Sequence, residues 1–236
     1  MAPLEEVGKW MIESKNTVVL TGAGMSTESG LPDFRSKEGW WKSIDPSTVA
    51  NVDALHRNYD LFHEFYRDRI ISLSHCKPHE GHFIVAEWEE KGMVSHVATQ
   101  NVDGFHHQAG NRNVSELHGN IRTFRCHNCG TGALEELFLN GENCRECGGR
   151  LRPNVVLFGE MLPQEAWETS LDAIDSADLI LVIGSSLQVS PVNQLPYMTK
   201  GKTVWLNKEI DSFSQFDKTI EGSAKDILQQ LNNIIT

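Results

Sequence analysis

Four cysteines near the middle of the chain constrain its fold more than any other feature. Cys126 and Cys129 form one Cys-x-x-Cys pair, and Cys144 and Cys147 form a second pair after fourteen intervening residues. This spacing suits tetrahedral zinc, because each short turn can present two thiolates to one ion. With four protein ligands the zinc would have no open position, so we expect it to be structural. A thiol redox pair or two disulfides are the alternatives.

Length, composition and charge predict an intracellular protein. The 236 residues are 39% hydrophobic, which is enough for one substantial core and a small satellite module. No segment has eighteen uninterrupted apolar residues, and the N-terminus lacks the pattern of a secretion signal. We expect no membrane span and a cytoplasmic location, because the unpaired fifth cysteine, Cys76, also favours a reducing compartment. The net charge of −11 argues against direct nucleic-acid binding and is compatible with basic protein substrates.

Apolar runs that end in small or amide residues recur along the chain and predict an α/β sheet. They lie at residues 17–20, 94–99, 179–183 and 203–206. Helical stretches are predicted around them, at residues 4–14, 59–73, 80–91, 164–174 and 224–235. Ligands of parallel sheets bind at the carboxyl ends of the strands, so each of these endings is a candidate site.

Two segments interrupt this pattern. Residues 124–152 are rich in glycine, cysteine and charged side chains, and they mark the zinc module. Residues 36–75 form a second insertion that is rich in tryptophan and other aromatic side chains. We expect this insertion to pack beside the zinc module as a small helical domain.

The end of the first predicted strand is a candidate phosphate site. Residues 22–24, Gly-Ala-Gly, form a tight turn whose backbone amides could approach a pyrophosphate, and Ser26, Thr27 and Ser29 follow with hydroxyl donors. Thr27 stands where the dehydrogenase fingerprint requires a third glycine, so the turn argues against hydride transfer. A tight turn without a ligand is the alternative.

Further segments match one family pattern in order along the chain. They are residues 22–35 (GAGMSTESGLPDFR), 99–103 (TQNVD), 117–120 (LHGN), the four cysteines, 152–160 (RPNVVLFGE) and 184–189 (GSSLQV). Together they resemble the sirtuin family, whose members are NAD-dependent protein lysine deacylases. The resemblance implies transfer of an acyl group from lysine to ADP-ribose with release of nicotinamide.

The resemblance also implies the fold and its division into domains. We expect an α/β fold with a Rossmann-like, doubly wound parallel sheet that binds NAD, formed by residues 1–35, 76–123 and 153–236. The helical insertion, residues 36–75, and the zinc-binding module, residues 124–152, would form the small domain.

Four polar residues carry the predicted chemistry. His118 would be the general base, because an imidazole has the side-chain pKa closest to neutrality; a structural histidine is the alternative. Asn101 would orient the ribose or a water near the reacting carbon, and Gln100 would hold ribose hydroxyls. Asp103 would accept a hydrogen bond from the nicotinamide carboxamide; a cap on the next helix is the alternative, and both roles can coexist.

The remaining cofactor contacts follow from the resemblance. Phe34 would shield the reaction centre from water, and Arg35 would lie near the phosphate and ribose. The full predicted cofactor set is Gly22, Ala23, Gly24, Thr27, Phe34, Arg35, Gln100, Asn101, Val102, Asp103, Gly184, Ser185, Ser186, Asn207 and Ala224. After Asn207, the residues Lys208 and Glu209 replace the small residues that many relatives carry.

An acylated lysine in a protein or peptide is the predicted substrate partner. It would enter as an added strand between residues 156–160 and 187–190, with contacts from Val156, Phe158, Gly159 and Val189.

The acyl group would face a Tyr-x-x-Arg pair, Tyr66 and Arg69, which together with Ala50 resembles the subgroup that removes succinyl and malonyl groups. A solvated helix face is the alternative for this pair. Residues 32–34 instead resemble the corresponding segment of deacetylases, so acetyl-lysine is also a possible substrate.

Two other function classes remain open from the sequence. A protein ADP-ribosyltransferase would use the same cleavage of NAD with another acceptor. A binding module built around zinc would explain the cysteines but not the polar residues at the strand ends.

Overall fold

The computed structural model describes residues 3–31, 46–210 and 215–236. Its α-helices are α1 (Pro3–Glu13), α2 (Pro46–Val49), α3 (Val52–Arg57), α4 (Tyr59–Ser74), α5 (Glu80–Glu90), α6 (Phe105–Ala109), α7 (Glu135–Leu139), α8 (Gln164–Asp175) and α9 (Ala224–Ile235). Its strands are β1 (Thr17–Thr21), β2 (Val94–Thr99), β3 (Val114–Glu116), β4 (Gly119–Cys126), β5 (Gly132–Ala133), β6 (Leu151–Val155), β7 (Leu179–Ile183), β8 (Lys202–Asn207) and β9 (Lys218–Glu221).

Six strands form one parallel sheet in the order β3-β2-β1-β7-β8-β9. The order reverses between β1 and β7, as in doubly wound nucleotide-binding folds, where ligands bind in the crevice at that reversal. The predicted α/β class and the Rossmann-like sheet are therefore confirmed. A second sheet is antiparallel, with the order β5-β4-β6.

The four predicted strands and five predicted helices are present, and no end differs from its prediction by more than one residue. The sequence pattern missed β3 and β9, the short strands at the two edges of the parallel sheet. Most of their residues are only partly buried, so they lack the continuous apolar run that identifies a central strand. The hydroxyl-rich segment after β1 forms a 3-10 helix, Ala23–Ser29, which ends at Gly30 in the left-handed region with a φ of 88°.

The central strands are buried on both faces, which explains their apolar sequences. All five residues of β1 and of β7 are buried. Val19 packs with residues of α1, α5 and α9 on one face, whereas Val18 and Leu20 pack on the other face with Ile174 of α8. Helices therefore cover both sides of the sheet.

A separate hydrophobic core lies in the smaller part of the molecule. It combines Phe62 and Phe65 of α4 with Phe124 of β4, Phe138 of α7 and Leu151 of β6. The described part of the helical insertion thus packs against the cysteine-rich segment. The assignment of chain segments to two domains stays a prediction.

The turns after β1 and β7 contact each other closely. The amide of Gly24 donates to the carbonyl oxygen of Gly184 over 2.8 Å. A Cβ atom on Gly184, which has a φ of 62°, would lie 2.2 Å from the amide nitrogen of Met25. A Cβ atom on Gly24 would lie 2.8 Å from the Cα of Gly184. Both glycines are required for packing at the point where the strand order reverses.

Within residues 3–31, 46–210 and 215–236, no helix combines the length and apolar character that a membrane span requires.

Candidate active site

A large cavity lies at the carboxyl ends of the central strands. Its volume is about 1480 Å³, and residues following β1, β2, β7 and β8 line it together with residues of α4 and the segment after β6. Every predicted cofactor, substrate and catalytic residue in the described ranges lines this cavity. Phe34 and Arg35, like the deacetylase-like segment 32–34, lie outside the described residues.

Asn101, Asp103 and Ser26 form a buried polar cluster at the cavity wall. The carboxylate of Asp103 accepts from the hydroxyl of Ser26 at 2.7 Å and from the backbone amide of Phe105 at 2.9 Å. The amide of Asn101 donates to the carbonyl of Gly22 at 2.9 Å and to the hydroxyl of Ser26 at 3.2 Å. Burial raises the pKa of Asp103, and the two hydrogen bonds to its carboxylate oppose this shift.

Ser26 has a role that sequence reasoning missed. It was expected only as a possible hydroxyl donor to phosphate, yet its hydroxyl is turned toward Asp103 and Asn101. No sequence spacing signals this contact, because the partners come from the ends of two different strands. Asp103 also accepts from the amide of Phe105, the first residue of α6, although Gly104 holds the N-cap position of that helix.

His118 is held in one tautomer by the backbone. Its Nδ1 lies 3.0 Å from the carbonyl oxygen of Gln100, which can only accept, so Nδ1 carries the proton and Nε2 keeps its lone pair. Burial lowers the pKa of His118, and the bond to Gln100 partly opposes this shift. The next residue, Gly119, has a φ of 75°, and a Cβ atom there would lie 1.9 Å from the carbonyl oxygen of Asn154. Close packing of β4 on β6 therefore fixes the backbone that carries His118.

Gln100 connects two strand ends across β1. Its side-chain amide donates to the hydroxyl of Ser185 at 2.8 Å, and that hydroxyl also accepts from the amide of Leu187 at 3.2 Å. The carbonyl of Ser185 accepts from the indole of Trp205 at 2.8 Å. The residues predicted to contact ribose and adenosine are thus held in place by hydrogen bonds within the chain.

Tyr66 and Arg69, the two residues predicted to face the acyl group, belong to α4 and line the cavity. Tyr66 is 2% exposed, and its ring lies 4.6 Å from that of Phe62 and 5.1 Å from that of Phe65, measured between centroids. The guanidinium carbon of Arg69 lies 5.5 Å from the Phe65 ring centroid. Both side chains line the cavity together with Ala50, and the burial of Tyr66 does not fit a fully solvated helix face.

Burial shifts the pKa of both members of the Tyr-x-x-Arg pair. It raises the pKa of Tyr66 to about 12, so the phenol keeps its proton and can donate a hydrogen bond. Burial also lowers the pKa of Arg69, an effect that Tyr66 and the carboxylate of Asp103 oppose. A guanidinium stays charged in proteins, so Arg69 presents a positive charge to the cavity.

Phe158 is positioned differently from the prediction for segment 156–160. Its amide donates to the carbonyl of Ala50 at 2.8 Å, and its carbonyl accepts from the amide of Val52 at 3.3 Å. The backbone of Phe158 therefore pairs with the helical insertion, while its half-exposed side chain lies at the cavity edge. A peptide strand would need other backbone groups of this segment.

The four predicted zinc ligands come together. Their sulfur atoms all lie within 4.8 Å of one another, with 3.4 Å between Cys126 and Cys147 and 3.7 Å between Cys129 and Cys144. Four sulfurs at about 2.3 Å from a tetrahedral zinc lie about 3.8 Å apart, so the geometry fits this ion. All four are free cysteines, so the structure gives no support to the disulfide alternative. None of them lines the cavity, which agrees with a structural role.

Three histidines pack behind the polar cluster. The ring of His82 lies 4.5 Å from that of His79 and 5.2 Å from that of His106, measured between centroids. Burial lowers the pKa of His82 to about 2 and that of His106 to about 4. These rings are therefore neutral hydrogen-bonding groups at physiological pH.

Comparison with known proteins gives consistent results. A model of the Sir2 family matches residues 22–191. The chain is 49% identical over 232 residues to the NAD-dependent protein deacetylase 1 of Geobacillus kaustophilus, covering 96% of each protein. It is 38% identical over 238 residues to the NAD-dependent protein deacylase of Pyrococcus abyssi, covering 96% of this chain and 95% of that one. It superimposes on the crystal structure of a Sir2 homologue in complex with NAD, with a TM-score of 0.92 and 35% identity, covering 98% and 93% of the two chains.

We predict that the protein binds one zinc ion and that Cys129→Ser abolishes this binding. Cys126 and Cys144 belong to the small hydrophobic core, so loss of the ion should also lower the melting temperature. Elemental analysis of purified protein and thermal unfolding measure the two effects. Cys76→Ser is the matched control and should keep the full zinc content; an unchanged zinc content in Cys129→Ser would contradict the assignment.

We also predict that the free energy of unfolding falls as the pH is lowered from 6.5 to 5. The unfolded chain protonates His82 and His106 near their ordinary pKa of 6.5, whereas the folded chain does not. The stability that these neutral rings contribute is therefore present above pH 6.5 and is lost below it, by about 1.4 kcal/mol per pH unit for each histidine. Urea unfolding at a series of pH values measures the slope.

The slope should decrease in His106→Gln and should be unchanged in His107→Gln, which alters an exposed neighbour. A pH-independent free energy of unfolding in the native chain would disprove the burial of neutral histidines.

Proposed function

The chain belongs to the Sir2 family, and from that premise we propose that it is an NAD-dependent protein lysine deacylase that uses His118 as general base. The observation that carries this proposal is the fixed tautomer of His118, whose basic Nε2 belongs to a side chain lining the same cavity as Asn101 and Asp103. The relatives' names, NAD-dependent protein deacetylase and deacylase, support the reaction class.

The cavity fits NAD. It lies at the reversal of strand order, next to the glycine turn after β1, and it exceeds the roughly 300–1000 Å³ of common small-molecule pockets. When bound, NAD supplies an anomeric carbon that accepts the acyl oxygen as nicotinamide leaves. The turn of residues 22–24 and the residues after β7 and β8 would hold the phosphates and the adenosine half.

The polar residues have separate tasks in this proposal. The Nε2 atom of His118 takes a proton from a ribose hydroxyl. The lowered pKa of His118 keeps this nitrogen unprotonated at neutral pH. Asp103 and Asn101, held by Ser26, orient the nicotinamide end and the reacting carbon. Phe34 and Arg35 stay predictions for shielding and phosphate contact.

We further propose that the acyl pocket accepts acidic acyl groups such as succinyl and malonyl. Buried Tyr66 offers a phenol proton and Arg69 offers a charged guanidinium, and both belong to side chains lining the cavity. A carboxylate can accept from both, and charge-assisted hydrogen bonds are stronger than neutral ones. Acetyl-lysine remains a second substrate, because several relatives carry the name deacetylase.

Two alternatives have less support. A protein ADP-ribosyltransferase would not need a base placed like His118 to complete acyl transfer, and the relatives described above are named for deacylation. A pure zinc-binding module would leave the buried cluster of Ser26, Asn101 and Asp103 without a function.

We predict that His118→Ala lowers kcat for deacylation by about 100-fold or more, because general-base catalysis contributes 10² to 10⁴ in rate. NAD affinity should change little, since the residue is proposed to act on a proton. Peptide deacylation followed by mass spectrometry and NAD titration by calorimetry measure the two effects. His107→Ala is the exposed control, and a His118→Ala variant with native kcat would contradict the role.

A second prediction concerns acyl preference. With matched peptides, Arg69→Met should lower kcat/KM for succinyl-lysine by about 10-fold or more, because a carboxylate loses a charge-assisted partner, and should leave acetyl-lysine within about threefold. Arg67→Met, on the exposed side of the same helix, is the matched control.

Equal losses of kcat/KM for both peptides would contradict the proposed binding of the acyl carboxylate by Tyr66 and Arg69. Acetyl activity that is indifferent to Arg69, without any succinyl activity, would make the protein a deacetylase. Turnover of neither peptide would overturn the deacylase proposal, and nicotinamide release without acyl peptide would favour ADP-ribosyl transfer.

A further inference from the structure

A chain of buried hydrogen bonds leads away from the cavity, starting at the backbone amide of Asn101. This amide donates to the hydroxyl of Thr99 over 3.0 Å. The hydroxyls of Thr99 and Thr21 lie 2.8 Å apart, and that of Thr21 lies 3.1 Å from Nε2 of His106. The path thus joins the ends of β2 and β1 to the first turn of α6.

The chain continues from His106 to a carboxylate. Nδ1 of His106 lies 3.3 Å from the side-chain oxygen of Asn111, and the side-chain amide of Asn111 donates to Glu89 at 2.6 Å. Glu89 also accepts from the backbone amides of Arg112 and Asn113. The carboxylate is therefore anchored by several donors at the end of the path.

The carboxylate sets the direction of every bond in the chain. Because Glu89 only accepts, the NH2 group of Asn111 faces it, and the amide oxygen accepts from Nδ1 of His106. A neutral imidazole with its proton on Nδ1 must accept at Nε2, so Thr21 donates to His106. Two hydroxyls can bond in either direction, so Thr99 then donates to Thr21 and accepts from Asn101.

The linking side chains are inaccessible to a ligand. Thr21, Thr99, His106 and Asn111 are at most 3% exposed, and none of them lines the cavity. Burial also lowers the pKa of His106 to about 4, so the ring stays neutral and keeps its acceptor nitrogen. A buried polar group without a hydrogen-bond partner costs free energy of folding. Removal of one side chain from this path therefore disturbs the hydrogen bonds of the others.

We propose that His106 is a positioning residue that acts through Thr21 and Thr99 on the backbone of Asn101. We call the hydrogen-bonded path Glu89–Asn111–His106–Thr21–Thr99 the relay. It fixes the backbone amide of Asn101, where the polypeptide leaves β2. It thereby sets the direction in which the side chain of Asn101 enters the cavity. Its consequence for catalysis rests on the proposed deacylase function, whereas its effect on the Asn101 amide does not.

The relay can be tested first without NAD or peptide. In proton–nitrogen NMR spectra of the protein, His106→Phe should shift the amide proton resonance of Asn101 and increase its hydrogen-exchange rate at least about fivefold, although the substituted ring is two side chains away. Thr99→Val, which removes the direct acceptor, should produce a larger change in the same direction. His107→Phe is the exposed control and should leave this resonance in place. An unchanged Asn101 amide in His106→Phe would overturn the proposal.

Kinetics then separate positioning from a general loss of structure. We expect His106→Phe to lower kcat about 10-fold with KM for the acyl peptide within about twofold, and His106→Gln, whose amide oxygen can accept from Thr21, to recover most of kcat. The double variant His106→Phe/Thr99→Val should be little slower than Thr99→Val alone, because both changes break one relay.

The relay would be overturned if the losses of kcat in the two single variants add up in the double variant and scale with the decrease in melting temperature. If the native chain itself turns over no acyl peptide, the proposed function fails, and the Asn101 amide still decides whether His106 positions it.

Discussion

The close contact between the turns after β1 and β7 is the constraint on which the rest of the structure depends. Gly24 and Gly184 meet with backbone atoms alone, and neither position has room for a side chain. Because the strand order reverses there, the same contact opens the crevice in which a dinucleotide can lie. The neighbouring strand ends then bring Gln100, Asn101 and Asp103 to one wall of that crevice.

Most of the fold and the residues that line the site could be predicted from the sequence. The hydrogen bonds that connect the site residues to one another could not. The central strands were recognisable because burial on both faces demands continuous apolar runs, but the edge strands β3 and β9 carry no such run. Strand-end polar residues were found because parallel sheets place ligands there. The partnership of Ser26 with Asp103 joins segments far apart in sequence, and neither residue's neighbours signal it.

Two physically different regions support the cavity. On the sheet side, buried neutral histidines and hydroxyls hold the polar cluster through hydrogen bonds rather than through opposite charges. On the other side, an aromatic core shared by α4 and the cysteine-rich segment carries Tyr66 and Arg69, and two of its members are zinc-ligand cysteines. The cysteine cluster thus does not line the cavity, yet it shares a core with the wall that would face the acyl group.

The pairing of β1 with β7 also has a consequence for how the protein is made. Thr17 lies opposite Leu179, so the two central strands of the sheet come from distant parts of the chain. Such non-local contacts form slowly, because a long loop must close before they are gained. During synthesis, β1 cannot pair with β7 until β7 has left the ribosome. The apolar β1 segment therefore needs protection from aggregation until β7 is available, and the nucleotide crevice assembles late.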